Sequence, residues 1–242
     1  MGKIVVFHSF QDGIGKTTLL SNLALELATQ GKKIGLLDFD LQSPSLHVPF
    51  GISQNKIKNS MNDFLKNKVK LSEVPIEIIE NHLYLFPCSL NSSDIVEIIR
   101  DGFDSHKLIE SLKQVTDQLN FDFLFIDTPS GINEDALLAC SISEELFLVL
   151  KPDKHHIEGC KIFLEFANKI SAGKIGIIIN KCPNKISKEM LTKEIESQLK
   201  ASMVACMPYD EKIQEHENSG FYIQSNPGEQ LSKEIQRLSK LL

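Results

Sequence analysis

The chain has 242 residues, 42% of them hydrophobic and 24% charged, with a formal net charge of -6. That length suits one domain, 1–242, built around a single extended sheet, and the composition excludes disorder and fibrous repeats. The acidic balance argues against a surface that embraces nucleic acid as a whole.

The first element, KIVVF, is strand-like from Ile4 to Phe7 and does not read as a signal peptide. A glycine loop, GIGKTT, leads into a helix whose core face is Leu19, Leu23, Leu27, Ala24 and Ala28. IGLLDF (34–39) is the second strand, and the polar stretch Gln54–Lys70 is an ordered excursion that includes MNDFL at helical spacing. LYLF (83–86), FLFID (123–127), LFLVL (146–150), IGIII (175–179) and SMVAC (202–206) continue the strands, with helical patterns such as Ile95, Ile98 and Ile99 between them. Continuous apolar runs suit strands buried on both faces, so the expectation is a doubly wound α/β fold, a mostly parallel sheet flanked by helices. No fixed-period repeat or low-complexity linker divides it.

No apolar run approaches the roughly 20 residues that cross a bilayer, and a cytoplasmic protein is expected. Cys88, Cys140, Cys160, Cys182 and Cys206 form no CxxC pair and read as reduced core thiols rather than disulfides or a metal cluster. The final LSKEIQRLSKLL places Leu231, Ile235, Leu238 and Leu242 on one face, which is read as core packing rather than membrane contact. His155 and His156 are adjacent, so they cannot share a helix face, and are read as a solvated helix start. Lys56, Lys58, Lys66, Lys68 and Lys70 are read as a solvated face rather than a DNA stripe.

In GIGKTT, Gly13 and Gly15 let successive N–H groups turn inward, and the following helix adds its positive end. Lys16 would then reach terminal phosphates and Thr17 would take a magnesium position. The strict pattern wants glycine at position 10, where this chain has Phe10. Asp38, Asp40 and Asp127 close two strands beside the loop, in the crevice where open α/β sheets bind ligands. Asp127 and Asp38 are placed near a metal and Asp40 near the attacking water; the alternative makes all three turn formers or caps.

QDGIGKTT (11–18), LLDFDLQSPSL (36–46), FDFLFIDTPSG (121–131), IIINK (177–181) and MPYD (207–210) together resemble the MinD/ParA family of P-loop ATPases, in the branch with a deviant Walker A motif. The resemblance implies an Mg-ATP-binding ATPase, with ATP and Mg2+ as cofactors. It assigns the nucleotide cradle to Gln11, Asp12, Gly13, Ile14, Gly15, Lys16, Thr17 and Thr18, and the adenine surroundings to Asn180, Pro208 and Tyr209. Catalysis would fall to Lys16 and Asp40, magnesium to Thr17, Asp38 and Asp127; the first switch would include Asp38 and Ser45, and the second would be Asp127 with the TPSG loop (128–131) that follows it.

One departure stands at the loop front. Family members usually carry a lysine at the position of Gln11 and a glycine at that of Asp12, and the lysine reaches the partner's nucleotide across a dimer. Gln11 brings no positive charge and Asp12 brings a negative one, so hydrolysis coupled to dimerisation is expected to be weakened while binding survives. The expected partners are ATP and ADP, a second copy of the chain in the nucleotide-bound state, and a regulatory protein whose positioning or assembly the switch controls. Nucleic acid and direct membrane contact are not expected. The alternatives are a catalytically impaired nucleotide-binding scaffold and a DNA-partition ATPase.

Overall fold

The computed structural model describes residues 2–170, 172–183, 186–216 and 220–242. Among them the strands are β1 (Lys3–His8), β2 (Ile34–Asp38), β3 (Ile76–Ile79), β4 (Leu83–Phe86), β5 (Phe123–Asp127), β6 (Glu145–Leu150), β7 (Lys174–Cys182) and β8 (Ser202–Pro208). They form one sheet in the order β3-β4-β2-β5-β1-β6-β7-β8. Every neighbouring pair is parallel except β3 and β4. The helices are α1 (Lys16–Thr29), α2 (Met61–Leu65), α3 (Ser92–Asp101), α4 (Ser105–Gln118), α5 (Glu134–Ser141), α6 (Lys154–Lys169), α7 (Lys188–Leu199), α8 (Tyr222–Ser225) and α9 (Gln230–Ser239). The expected doubly wound, mostly parallel α/β fold is the fold observed.

The central strands are buried on both sides: every residue of β2, β5 and β6 is buried, as is β1 after Lys3. That is why their apolar runs are continuous rather than alternating. Phe7 sits at the middle of this layer, tilted against Phe125 and Phe147 with both ring centroids 5.2 Å away. Each such side chain contributes about 1.5–3 kcal/mol when fully buried, so the strand beneath the phosphate loop is among the most firmly fixed parts of the chain.

Edge strand β3 is absent from the sequence expectations. Its four residues, IEII, are only partly buried, and Glu77 interrupts them, accepting from Tyr84 Oη at 2.8 Å and from the Asn81 amide at 2.7 Å. A charged residue on a short edge strand is a common way of blunting an open sheet edge, and it erases the apolar run that marks the other strands.

Several helices begin under a side-chain cap, among them Asn91 for α3, Asp104 for α4, Asn133 for α5, Asp153 for α6 and Ser187 for α7. Helix α1 begins differently. Its N-cap is Gly15, in the left-handed region at φ 84°, with no side chain bonding to the first-turn amides.

Leu231, Ile235 and Leu238 of α9 are at most 4% exposed and share a core cluster with Leu20, Leu23 and Leu27 of α1, so the last amphipathic helix packs against the body as expected. His155 is exposed in the first turn of α6, whereas His156 is half-buried with its Nδ1 within 2.8 Å of both Asp153 carboxylate oxygens. Lys66 pairs with Asp94 and Glu97, and Lys68 reaches Asp94 at 3.3 Å, so part of the lysine-rich stretch is neutralised locally. All five cysteines are free and buried, and burial pushes the Cys140 and Cys160 thiols up to about 12. No helix among the described residues is long and apolar enough to cross a membrane.

Candidate functional site

Sheet register assembles the site. Strand β5 lies between β1 and β2, with Asp127 opposite Phe7 on one side and Asp38 on the other. The phosphate loop leaves β1 one residue further on, so Asp38, Asp127 and the loop meet at the C-terminal edge of the sheet, where open α/β sheets hold ligands.

Lys16 is 8% exposed and turns back from the first turn of α1. Its ammonium pairs with Asp127 Oδ1 and donates to the Thr128 carbonyl at 2.7 Å. The neighbouring hydroxyl, Thr17 Oγ1, donates to Asp127 Oδ2 at 2.6 Å. The two loop residues expected to meet phosphate and magnesium therefore converge on the Asp127 carboxylate, in the segment expected to be the second switch.

Asp38 is 1% exposed, and burial, reinforced by the negative charge of Asp127, pushes its carboxyl up to about 8. It accepts the Leu46 amide at 3.0 Å and the Asp40 amide at 3.3 Å, which folds the segment after β2 over the strand end. Asp40 is half-buried, accepts the Ser43 amide at 2.9 Å, and has its carboxyl raised by burial. Lys16 opposes that rise, while Asp127 and Asp12 add to it. Asp12 is thus close enough for its charge to be felt at the position expected to orient water. Ser45 is exposed.

The loop itself has Gln11 half-buried, Asp12 and Gly13 exposed, and Ile14 buried. Gly13 and Gly15 have φ of 70° and 84°. A Cβ on Gly15 would stand 2.9 Å from Asn180 Nδ2, so glycine is required there by space as well as by backbone. Thr18 is half-buried, and its carbonyl accepts Asn22 Nδ2 at 2.8 Å.

Asn180 lies beneath the loop. Its Nδ2 donates to the Ile14 carbonyl at 2.7 Å, and its Oδ1 accepts the Lys181 amide at 2.9 Å. Lys181, which the sequence reading did not single out, has φ 54° and donates from Nζ to the Gly13 carbonyl at 2.9 Å. A lysine directly after a strand-end asparagine was the available signal. Pro208 stands opposite Cys182 in the register, and the Tyr209 amide donates to the Cys182 carbonyl at 2.8 Å. Tyr209 is 38% exposed and borders a cleft of about 500 Å³ with Asp210, Lys212 and Glu229.

Two further residues tie the loop to the second switch. His8 is fully buried, with Nδ1 2.8 Å from Thr128 Oγ1, and that hydroxyl donates to the Phe7 carbonyl at 3.0 Å. The hydroxyl has one proton, so His8 Nδ1 is the donor and Nε2 carries the lone pair. Burial, and then the charge of Lys16, hold the imidazole well below the usual histidine range. Ser9 Oγ lies 3.0 Å from Ser130 Oγ, and the Ser9 carbonyl accepts the Gly131 amide at 3.0 Å.

The residues expected to meet magnesium, Thr17, Asp38 and Asp127, offer oxygens alone: one hydroxyl and two carboxyl groups. Magnesium prefers such a set and is usually completed by phosphate and water rather than by a full protein cage.

A glycine-shaped loop between a buried strand and an uncapped helix, faced by carboxylates on neighbouring parallel strands, defines a P-loop nucleoside-triphosphatase fold. The comparisons narrow it. The AAA domain family model matches residues 2–179. MinD, the septum site-determining protein of Thermotoga maritima, is 30% identical over 247 residues, covering 99% of this chain and 88% of the relative. The MinD structure from Pyrococcus horikoshii, complexed with Mg-ADP, superposes with a TM-score of 0.84 at 23% identity over 100% of this chain and 96% of that one. A ParA family ATPase from Chlorobium tepidum gives 0.82 at 19% identity over the whole of both chains, and the MinC:MinD complex of Aquifex aeolicus gives 0.82 at 22% over 99% and 95%. The chain belongs to the MinD/ParA family of P-loop ATPases.

Proposed function

We propose that this chain is an Mg-ATP-binding switch that hydrolyses ATP slowly, or under the control of a partner, and thereby regulates the positioning or assembly of another protein. The observation that carries the reading is the convergence of Lys16 and Thr17 on Asp127, with the Thr128 carbonyl as the third acceptor. With nucleotide bound, the Lys16 ammonium would turn from these groups to phosphate oxygens, and Thr17 and Asp127 would hold magnesium, which would supply Lewis-acid charge at the phosphates. The second switch would then lose two of its ties to the loop at once. Asp40 would orient the attacking water, and Pro208 and Tyr209 would flank the base.

Known members support both halves of the reading: the Pyrococcus horikoshii relative was solved with Mg-ADP, and the Aquifex aeolicus relative in complex with another protein, MinC. A second copy of this chain and a regulatory protein are accordingly the proposed partners. A second reading, a nucleotide-binding scaffold with little hydrolysis, is favoured by the negative charge of Asp12 acting on Asp40 and by the neutral Gln11. Measured nucleotide affinity and phosphate release, for the wild type and Lys16→Ala, decide between them. Turnover abolished by Lys16→Ala supports the ATPase. Binding without turnover supports the scaffold, and the same background in both proteins for both measurements rejects the nucleotide reading.

A further inference from the structure

Position 10, at the front of the phosphate loop, carries a phenylalanine where the strict motif has glycine. A ring there must be put somewhere, and its place is on α6. Gly159 lies buried in the interior of that helix, and a Cβ on it would come within 2.1 Å of Phe10 Cδ1, 2.5 Å of Cγ and 2.6 Å of Cε1. Those distances are far below any real contact, so the ring occupies the space that every other residue type at 159 would fill. Glycine inside a helix is unfavourable compared with alanine, and here the bare backbone has a specific use.

The contact does not stand alone. One turn further along α6, Phe163 stacks on His8 with centroids 3.8 Å apart and planes 23° from parallel. His8 in turn holds Thr128, and Ser9 holds Ser130 and Gly131. The run His8–Phe10 is therefore fixed on one side to the second switch and on the other to α6, immediately before the loop amides begin. His8 Nε2, fully buried and without a partner, opens on a space of about 10 Å³ bordered by Phe10, His156 and Cys160, which is room for about one water.

We propose that Phe10 is a positioning residue for nucleotide: its ring, seated on Gly159, holds the front of the loop in the conformation that presents the amides of residues 13–17 to phosphate. The loop front carries Phe10 and Asp12 where glycines are usual, and this seat replaces intrinsic backbone shape with a tertiary contact. The inference rests on the nucleotide-binding reading and goes beyond it by making α6 part of the binding apparatus.

The test is a double-mutant cycle on the full chain, titrating a fluorescent ATP analogue with magnesium, alongside thermal unfolding. Gly159→Ala raises Kd on the order of tenfold or more, the scale expected when a binding element shifts by a fraction of an ångström to one ångström. Phe10→Gly raises Kd similarly, and adding Gly159→Ala to Phe10→Gly changes it by less than about twofold, because the clash has gone. Phe10→Leu, which keeps an apolar side chain at the seat, lies between wild type and Phe10→Gly. Ile162→Ala, on the outer face of α6 at 47% exposure, leaves Kd unchanged. An unaltered Kd in Gly159→Ala with only a lower unfolding temperature, or an equal loss in both backgrounds, overturns the seat. If Gly159→Ala does not fold, equal Kd values for Phe10→Gly, Phe10→Leu and wild type overturn it. A wild-type chain that does not bind the analogue overturns the nucleotide reading and the seat together.

Discussion

Asn180 donates its side-chain amide to the Ile14 carbonyl at 2.7 Å, from the end of β7 up into the underside of the phosphate loop. Its Oδ1 is also engaged, by the Lys181 amide at 2.9 Å, so both ends of the amide are committed to backbone. Asn180→Ala leaves a buried loop carbonyl unpaired, a loss of about 1–3 kcal/mol. We predict that the variant binds ATP and GTP more weakly by similar factors, as measured by competitive titration. A change confined to ATP would instead assign the side chain to the adenine edge.

Lys16 and Asp127 form a buried ion pair, and breaking such a pair by removing one partner costs about 3–5 kcal/mol because the other charge is left unmatched. Without Lys16, Asp127 loses its cation and keeps the Thr17 hydroxyl, while Asp38 and Asp40 add negative charge nearby. Lys16→Ala is therefore expected to lower the nucleotide-free unfolding midpoint in urea as well as abolish binding. Lys16→Ala/Asp127→Asn should regain most of the stability and none of the binding.

Asp12 adds negative charge at Asp40, and Gln11 brings no compensating cation. Replacing both, in Gln11→Lys/Asp12→Gly, is predicted to raise steady-state phosphate release by about tenfold or more, since charge supplied at the transferring phosphoryl group is worth up to 10³ and beyond. Gel filtration with ATP and magnesium should show a larger dimer fraction for the double variant. Unchanged turnover and unchanged assembly would place the limiting defect elsewhere.

His8 is held below the ordinary histidine value of 6.5 by burial and by Lys16, so it remains neutral in the folded chain while the unfolded chain takes up a proton below pH 6.5. Stability from this group is complete above that pH and is lost as pH falls beneath it. Between pH 8 and pH 5.5 the unfolding free energy therefore falls, by on the order of 1 kcal/mol from this group. His8→Asn, which does not titrate, should show a correspondingly smaller drop in unfolding free energy over the same interval. Equal drops in the two proteins would mean that the imidazole does not stay neutral.

Much of this was legible in the sequence because the signals are local. Buried parallel strands leave unbroken apolar runs, and GIGKTT followed by α1 joins loop and helix in a few residues. Asp38 and Asp127 were readable as strand-end carboxylates, although the rise that Asp127 causes at Asp38 depends on a register between strands about ninety positions apart. Edge strand β3 was not legible, since Glu77 breaks its run and only one neighbour pairs with it. The tie from His8 to Thr128 spans 120 positions and has no periodic trace. Gly159 did leave a trace, a glycine in the middle of KHHIEGCKIF, but its meaning lies in Phe10, nearly 150 residues earlier.

The five buried thiols give the molecule an internal clock. Cys88, Cys140, Cys160 and Cys206 are all held above the usual thiol range, chiefly by burial, so a maleimide added to the native chain finds little thiolate and little access. Labelling would then proceed only as fast as the chain opens. Cys160 borders the space beside Phe10 and His8, so its alkylation would time the breathing of the loop mounting, separately from the reaction of the fully buried Cys88 and Cys140.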